Sequence, residues 1–454
     1  MEKMTLAEIV SAVDGSFGYP AEMYVEAVST DTRKIKENSV FIALAGANFD
    51  GHDFAARAME LGALAVITER PVEGAKCIVV DSTAKALRDL AHYYRCKFDI
   101  PLVGITGSVG KTTTKDMIAC VLARKYKTLK TSGNHNNEIG MPQTLLELDS
   151  SCEAAVIEMG MNHAGEMSRL SMCSAPNLCV ITNIGVSHIE NLGSQENILK
   201  AKLEILDGAS PDAPLILCRD DKLLASVEIR GGRETMYYSV RKKDCEVYAS
   251  DITVRDGAVC FDINYGGKAY HARVNVLGEH NVKNALAAFC VGVKLGVEPE
   301  ECVRGIADFR PEGLRQNVKT VNGITLIIDC YNAAPDSMRA ALSVLSQVEV
   351  PEGGNRICVL ADMLELGKNA KTYHRQVGEY VPAAKADMLF CFGENSQLYI
   401  DGAVKKGMAA ESCMLFASRE ELAEKLKSVV KPGDAVLFKG SRGMKLEEVV
   451  DKLG

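Results

Sequence analysis

Between Leu102 and Lys115 the chain reads "LVGITGSVGKTTTK": an apolar run, a glycine turn, then a lysine and a row of hydroxyls. Glycines let backbone N–H groups curl around phosphate oxygens. A lysine there meets the outer phosphates, and a threonine hydroxyl can bind Mg2+. Gly107, Ser108, Val109, Gly110, Lys111, Thr112 and Thr113 thus form a candidate nucleotide phosphate loop. The turn departs from the strict G-x-x-x-x-G-K-[ST] pattern, whose first glycine would fall at Ile105. The plainer reading is a glycine-rich turn carrying a solvated lysine.

Three further residues have types and positions that could serve such a loop. Glu158 closes the apolar run "AAVIE" and is placed to hold Mg2+ directly or through water, or else to be a solvated strand end. His188 follows the run "CVITNIG" in the loop "VSHIEN", as a metal ligand or as a solvated polar residue. Lys202 lies in "ILKAKLEIL" (198–206), a helical pattern whose apolar face is Ile198, Leu199, Leu203, Ile205 and Leu206, with Lys200 and Glu204 opposite. Lys202 falls in the middle of the apolar face. Either its stem snorkels to water, or it is a desolvated amine modified to an anion, such as a carbamate formed with CO2. The run "TSGNHNNEIGMP" (131–142) reads as turn chemistry, although its amides could hold an oxygen-rich ligand.

The elements that must position these groups are α/β throughout. "MEKMTLAEIVSAVDG" predicts a helix capped by Thr5 and Glu8, and short apolar runs alternate with helical patterns up to residue 98. From there to 312, unbroken Val/Ile/Leu runs predict strands buried on both faces of a parallel sheet. The alternating stretch at 234–276 predicts an antiparallel insertion, and Gly296 closes the helical pattern after it. From 313 a second open sheet is expected. Ligands in such sheets sit beyond the carboxyl ends of the strands. The polar clusters fall there: 108–113, Glu158, 329–332, 362–365 and 439–442. The predicted domains are 1–98, 99–312 and 313–454: a small N-terminal α/β domain, a central P-loop-type mostly parallel sheet with helices on both faces, and a C-terminal Rossmann-like α/β sheet.

Composition agrees with an ordinary soluble globular protein. Of the 454 residues, 47% are apolar and 25% charged. The net charge is -8, with no basic block, which argues against nucleic acid or an anionic membrane as partner. The 15 cysteines lack any Cys-x-x-Cys pair. With no signal peptide and no spanning run, they suit a reducing cytoplasm.

Taken together these motifs resemble the Mur ligases, the ATP-dependent enzymes that add amino acids to the peptidoglycan precursor. "STDTRKIKENSVFIALAGANFDGHDF" (29–54) is similar to their UDP-binding N-terminal domain. "GITGSVGKTTTK" is their form of the phosphate loop. "TSGNHNNEIGMP", "EMGMNHAGEM", "TNIGVSHIENLGS" and "AKLEIL" match the central domain. "DCYNAAPDSMRAAL", "LADMLELG" and "FKGSRGMKLEEVV" resemble the branch that joins D-alanyl-D-alanine to UDP-N-acetylmuramoyl-tripeptide. The Asp-Asn-Pro-Arg motif of the sister adding a diamino acid is not found.

The resemblance implies a role for each matched residue. Residues 107–113 would cradle the phosphates of ATP. Thr112 and Glu158 would hold one Mg2+, and His188 with a carbamylated Lys202 a second. Asn281 would meet the adenine, with Arg315 and Asp329 near the ribose and phosphates. Asn332, Asp336 and Ser337 would face the dipeptide. Thr30, Asp31, Arg33, Asp50, Gly51, His52 and Asn137 would serve the UDP-linked substrate. The chain departs from the family at Ala334, where Asn is frequent, and in the order of residues around Arg315. A monomer acting without nucleic acid or membrane is expected. Other readings are a folylpolyglutamate synthase-like ligase, though about 98 residues precede the ATP domain here, and a P-loop NTPase that forms no bond.

Overall fold

The computed structural model of the chain describes residues 1–46, 49–228, 232–311 and 313–453. Ala47 and Asn48 of the segment 29–54, Glu312 at the expected domain boundary, and the terminal Gly454 lie outside the described residues.

Three main sheets carry the chain. In the N-terminal region four parallel strands run in the order Ala27–Ser29, Ser39–Ile42, Ala63–Thr68, Cys77–Val79. The first helix, Leu6–Ala12, begins at the predicted capping box: Thr5 accepts from the Glu8 N–H and Glu8 accepts from the Thr5 N–H. Helix Thr83–Arg95, capped by Ser82, packs Ala86, Leu87, Leu90, Ala91 and Tyr94 inward at helical spacing.

The central sheet has nine strands. Leu102–Thr106 sits between Leu178–Ile181 and Ala154–Glu158, all parallel. Every residue of these three strands is buried, as their unbroken apolar runs require. The chain leaves Leu102–Thr106 first toward one edge of the sheet and later toward the other. The loop after this strand is therefore a topological switch point, where such sheets bind ligands. The 234–276 region differs from expectation. Thr235–Ser239 pairs parallel on both sides, and only Val247–Arg255, Ala258–Tyr265 and Lys268–Val274 are antiparallel. They extend the central sheet and form no separate insertion. The cause is edge pairing: Val247 and Tyr248 take partners on Thr235–Ser239 before the hairpins turn away. Helix Glu279–Lys294 then packs on the sheet and ends before Gly296, whose φ is +74°.

The C-terminal sheet has six strands in the order Asn317–Val321, Ile324–Asp329, Ala435–Lys439, Arg356–Ala361, Met388–Phe392, Cys413–Phe416. Only the first is antiparallel. The last strand in sequence, Ala435–Lys439, returns to the middle of the sheet. Among the described residues no helix is long and apolar enough to cross a membrane.

Candidate active site

The phosphate loop is built by glycine geometry and clamped by its neighbour strand. Gly107 has φ +152°, and a Cβ there would meet Thr182 Oγ1 at 1.9 Å. Gly110 is left-handed at φ +82° and caps helix Lys111–Leu122. Neither position admits a side chain without strain. The segment after Leu178–Ile181 holds the loop: Thr182 Oγ1 and Asn183 Nδ2 both donate to the Val109 carbonyl at 2.8 Å, and Val109 N–H donates to Asn183 Oδ1 at 3.0 Å. Lys111 folds over the loop and donates to the Gly107 carbonyl at 2.8 Å. Burial lowers its pKa; Glu158 opposes that shift and Arg315 adds to it.

Around this loop, buried polar atoms stand without partners. Among the described residues Thr112 Oγ1 and Glu158 Oε2 are buried and make no hydrogen bond, while His188 Nδ1 faces Glu365 Oε2 at 3.1 Å. An unsatisfied buried polar atom costs roughly 1–3 kcal/mol, so two near one loop point to a ligand. Glu158 is paired in register with Ile105 of the neighbouring strand, and its Oε1 accepts from Asn136 Nδ2 at 2.8 Å. That leaves Oε2 without a partner. The Asn-rich loop therefore orients the carboxylate, and the "TSGNHNNEIGMP" amides have work beyond turn formation. His188 sits at φ +63° ahead of helix Ile189–Leu192, and Ser187 beside it donates to the Ser108 carbonyl at 3.4 Å. A left-handed non-glycine residue costs roughly 1–3 kcal/mol and is typical of functional sites.

Lys202 settles one alternative. It is 2% exposed, in helix Gln195–Leu203 between Ala201 and the turn Glu204–Leu206. A snorkelling stem would leave the ammonium in water, and this one is enclosed. Burial holds its pKa well below the ordinary 10.5, and the positive charge of Lys111 pushes the same way. The helix also ends earlier than its pattern suggested. Glu204 turns inward and accepts from the N–H groups of Gly165 and Ser168, capping the earlier helix Glu166–Ser174. Among the described residues no group of three His, Cys, Asp or Glu side chains could cage a metal alone. The donor set is instead suited to Mg2+, which keeps few protein ligands and shares the rest with phosphates.

The C-terminal domain supplies the opposite wall. Because Ala435–Lys439 returns beside Ile324–Asp329, Lys439 and Asp329 are register partners although far apart in sequence. Lys439 Nζ lies 2.8 Å from Asp329 Oδ2 and donates to the Asn332 carbonyl at 2.7 Å. Arg315 stacks on Tyr331, with its guanidinium carbon 4.2 Å from the ring centre. Ser337 Oγ accepts from the Ala334 N–H and so starts helix Pro335–Gln347. Asp336 comes close to the phosphate loop: a Cβ on Gly185 would lie 2.7 Å from Asp336 Oδ2 and 3.2 Å from Ser108 Cβ. Burial raises the Asp336 pKa.

Between the walls runs a cleft of about 1070 Å³. It is lined by Ser108, Val109, Gly110, Lys111, Thr113, Asn137, Glu158, His188, Arg315, Asp329, Asn332, Asp336 and Ser337 of the expected residues. Gly107 and Thr112 underlie the loop, and Lys202 is buried behind it. Asn281 also sits behind the wall. Its Nδ2 donates to the Leu277 carbonyl and to Gln316 Oε1, and its Oδ1 accepts from Asn284. Thr30, Asp31, Arg33, Asp50, Gly51 and His52 do not line this cleft. Asp31 is engaged by Arg33 through two oxygens. Asp50 binds Arg70 and the His52 ring, whose Nε2 accepts from the Glu69 N–H. Thr30 alone reaches the central domain, accepting from Gln143 Nε2 at 2.8 Å.

Sequence reasoning gave no role to Asn183, Asn284, Gln316, Glu365 or Lys439. Lys439 and Glu365 stood in polar clusters after strands, the signal that could have promoted them. The two asparagines carried none, since their contacts join segments remote in sequence: Asn183 holds the Val109 peptide, and Asn284 Oδ1 accepts from Thr114 Oγ1 at 3.0 Å.

A phosphate loop at a switch point, buried oxygen atoms without partners beside it and a facing Rossmann-like wall define an ATP-dependent ligase of three domains. The chain belongs to the Mur ligase family. Residues 24–95 match the description "Mur ligase family, catalytic domain", 105–292 "Mur ligase middle domain", and 315–442 "Mur ligase, glutamate ligase domain". Within that family it is 38% identical to the UDP-N-acetylmuramoyl-tripeptide–D-alanyl-D-alanine ligase of Bacillus subtilis (strain 168), over 100% of this chain and 99% of the relative. A crystal structure of MurF from Acinetobacter baumannii superposes with a TM-score of 0.92 at 30% identity, covering 100% of this chain and 99% of that one. MurF ligase from Thermotoga maritima, solved in complex with ADP, superposes at 0.84 with 28% identity, covering 94% and 97%.

Proposed function

We propose that this chain joins D-alanyl-D-alanine to UDP-N-acetylmuramoyl-tripeptide at the expense of ATP, a step of peptidoglycan precursor synthesis. Full-length identity to ligases of that name supports it. The observation that carries the chemistry is the pair of partnerless buried atoms, Thr112 Oγ1 and Glu158 Oε2, beside the phosphate loop.

A carboxylate does not form an amide directly, because oxide is a poor leaving group. Phosphorylation by ATP makes an acyl phosphate, and the dipeptide amine then displaces phosphate. Backbone N–H groups of the 107–113 loop bind the phosphates, and Lys111 moves from the Gly107 carbonyl to their outer oxygens. Thr112 and Glu158 would hold one Mg2+, and His188 with a carbamylated Lys202 a second. Bound there, such ions would neutralise charge between two anionic reactants. The depressed Lys202 pKa supports the modification, since CO2 adds only to a neutral amine. Asp336, Asn332 and Ser337 would receive the dipeptide ammonium and backbone opposite the loop. Arg315 and Asp329 would take the ribose and phosphates, and Asn281 would reach the adenine by releasing Gln316. The Asp31–Arg33 and Asp50–His52 turns, with Thr30 and Asn137, would serve the UDP-linked substrate. Enclosure between two domains keeps water from the acyl phosphate.

We assign domains at 1–98, 99–312 and 313–454, since each segment forms its own sheet. Groups converging from one chain support a monomer. The free thiols, without a disulfide among the described residues, support a cytoplasmic setting. Phosphate release measured with ATP, muramoyl tripeptide and D-alanyl-D-alanine together, and with each omitted, tests the reading. Release that requires all three supports the ligase, and release from ATP alone overturns it in favour of an NTPase.

A further inference from the structure

His188 and Glu365 meet across the two domains. His188 Nδ1 lies 3.1 Å from Glu365 Oε2, within hydrogen-bond length. Nδ1 has no other partner among the described residues. Both residues are left-handed and neither is glycine: φ is +63° at His188 and +63° at Glu365. Backbone packing beside them fixes the encounter. Gly367 approaches Glu190 so closely that a Cβ would lie 3.2 Å from Glu190 Cβ. Ser187, His188, Leu364 and Glu365 line one small crevice. The Glu365 side chain is 63% exposed, so the pair adds little to stability. Two strained backbones held together for so little stabilisation call for another use.

From this we propose that Glu365 is a positioning residue. From the C-terminal domain it accepts the Nδ1–H of His188, fixes that tautomer and ring orientation, and leaves Nε2 free for a divalent cation. Metal-binding histidines commonly donate their second nitrogen to a carboxylate in this way. Nε2 of His188 makes no hydrogen bond among the described residues. The full cation site is then complete only while the two domains are in contact. The inference rests on the reading of His188 as a ligand.

The test is a Mn2+ titration followed by EPR on the full-length protein loaded with a non-hydrolysable ATP analogue. Wild type, Glu365→Ala, Glu365→Gln and His188→Ala are compared, each first checked by thermal melting. Loss of an orienting partner costs about 10–100-fold in metal affinity. Glu365→Ala should weaken the less tightly held ion by that factor and leave nucleotide affinity unchanged. Glu365→Gln, whose amide oxygen still accepts, should lose less. Imidazole 15N spectra should show His188 protonated on Nδ1 in wild type and a mixture of tautomers in Glu365→Ala. If His188→Ala weakens the ion and Glu365→Ala does not, the positioning role is overturned and the ligand reading stands. If His188→Ala changes neither ion, the ligand reading falls and this inference with it.

Discussion

Lys202 is enclosed close enough to Lys111 for the charge on one to oppose charge on the other. Burial is the larger cause of the depressed Lys202 pKa, and the Lys111 cation adds to it. A lysine whose folded pKa lies below its ordinary 10.5 opposes folding. That penalty is full below the folded pKa and fades as pH rises toward 10.5. In CO2-free buffer Lys202→Met should therefore melt at a higher temperature than wild type at neutral pH, with the gain shrinking toward pH 10.5. A gain that stays constant with pH, or a loss at neutral pH, contradicts the buried-amine account.

If Lys202 acts as a carbamate, an external carboxylate can replace it. Lys202→Ala should lose ligation by roughly 10²-fold or more, and short-chain carboxylic acids should restore part of kcat. Rescue by amines but not by acids would rule out the anionic role.

Lys111 should separate chemistry from precursor binding. Removing a charged donor to the transferring phosphoryl group costs on the order of 10²–10³ in kcat. Lys111→Ala should lose at least that much while binding of the UDP-linked tripeptide, measured calorimetrically, stays near wild type. Comparable loss of precursor binding would show that the lysine serves the fold or the other substrate.

Lys439 ties Asp329 to the Asn332 carbonyl inside the C-terminal domain. Removing one partner of a buried pair leaves an uncompensated charge and costs roughly 3–5 kcal/mol. Lys439→Met should lower the melting temperature, and the double variant Lys439→Met, Asp329→Asn should recover much of that loss. No recovery in the double variant would mean that the pair is not what Lys439 stabilises.

The sequence by itself determined the elements and the chemistry nearest them. Gly107, Gly110, Lys111 and Thr112 are legible because strand, glycine turn and helix cap are local, and Glu158 because it ends an apolar run. The Thr5–Glu8 cap is equally local. Lys202 was visible as an anomaly on an apolar face, but helical phase cannot distinguish a snorkelling lysine from an enclosed one. That depends on what packs above it. Tertiary structure alone decided the Lys439–Asp329 pair, the Asn183 and Asn284 clamps and the His188–Glu365 encounter. The Thr235–Ser239 strand also pairs in parallel, against its alternating pattern. Periodicity reports which face of an element is buried, while partner choice and register follow from strand order and domain contact, which no short stretch of chain encodes.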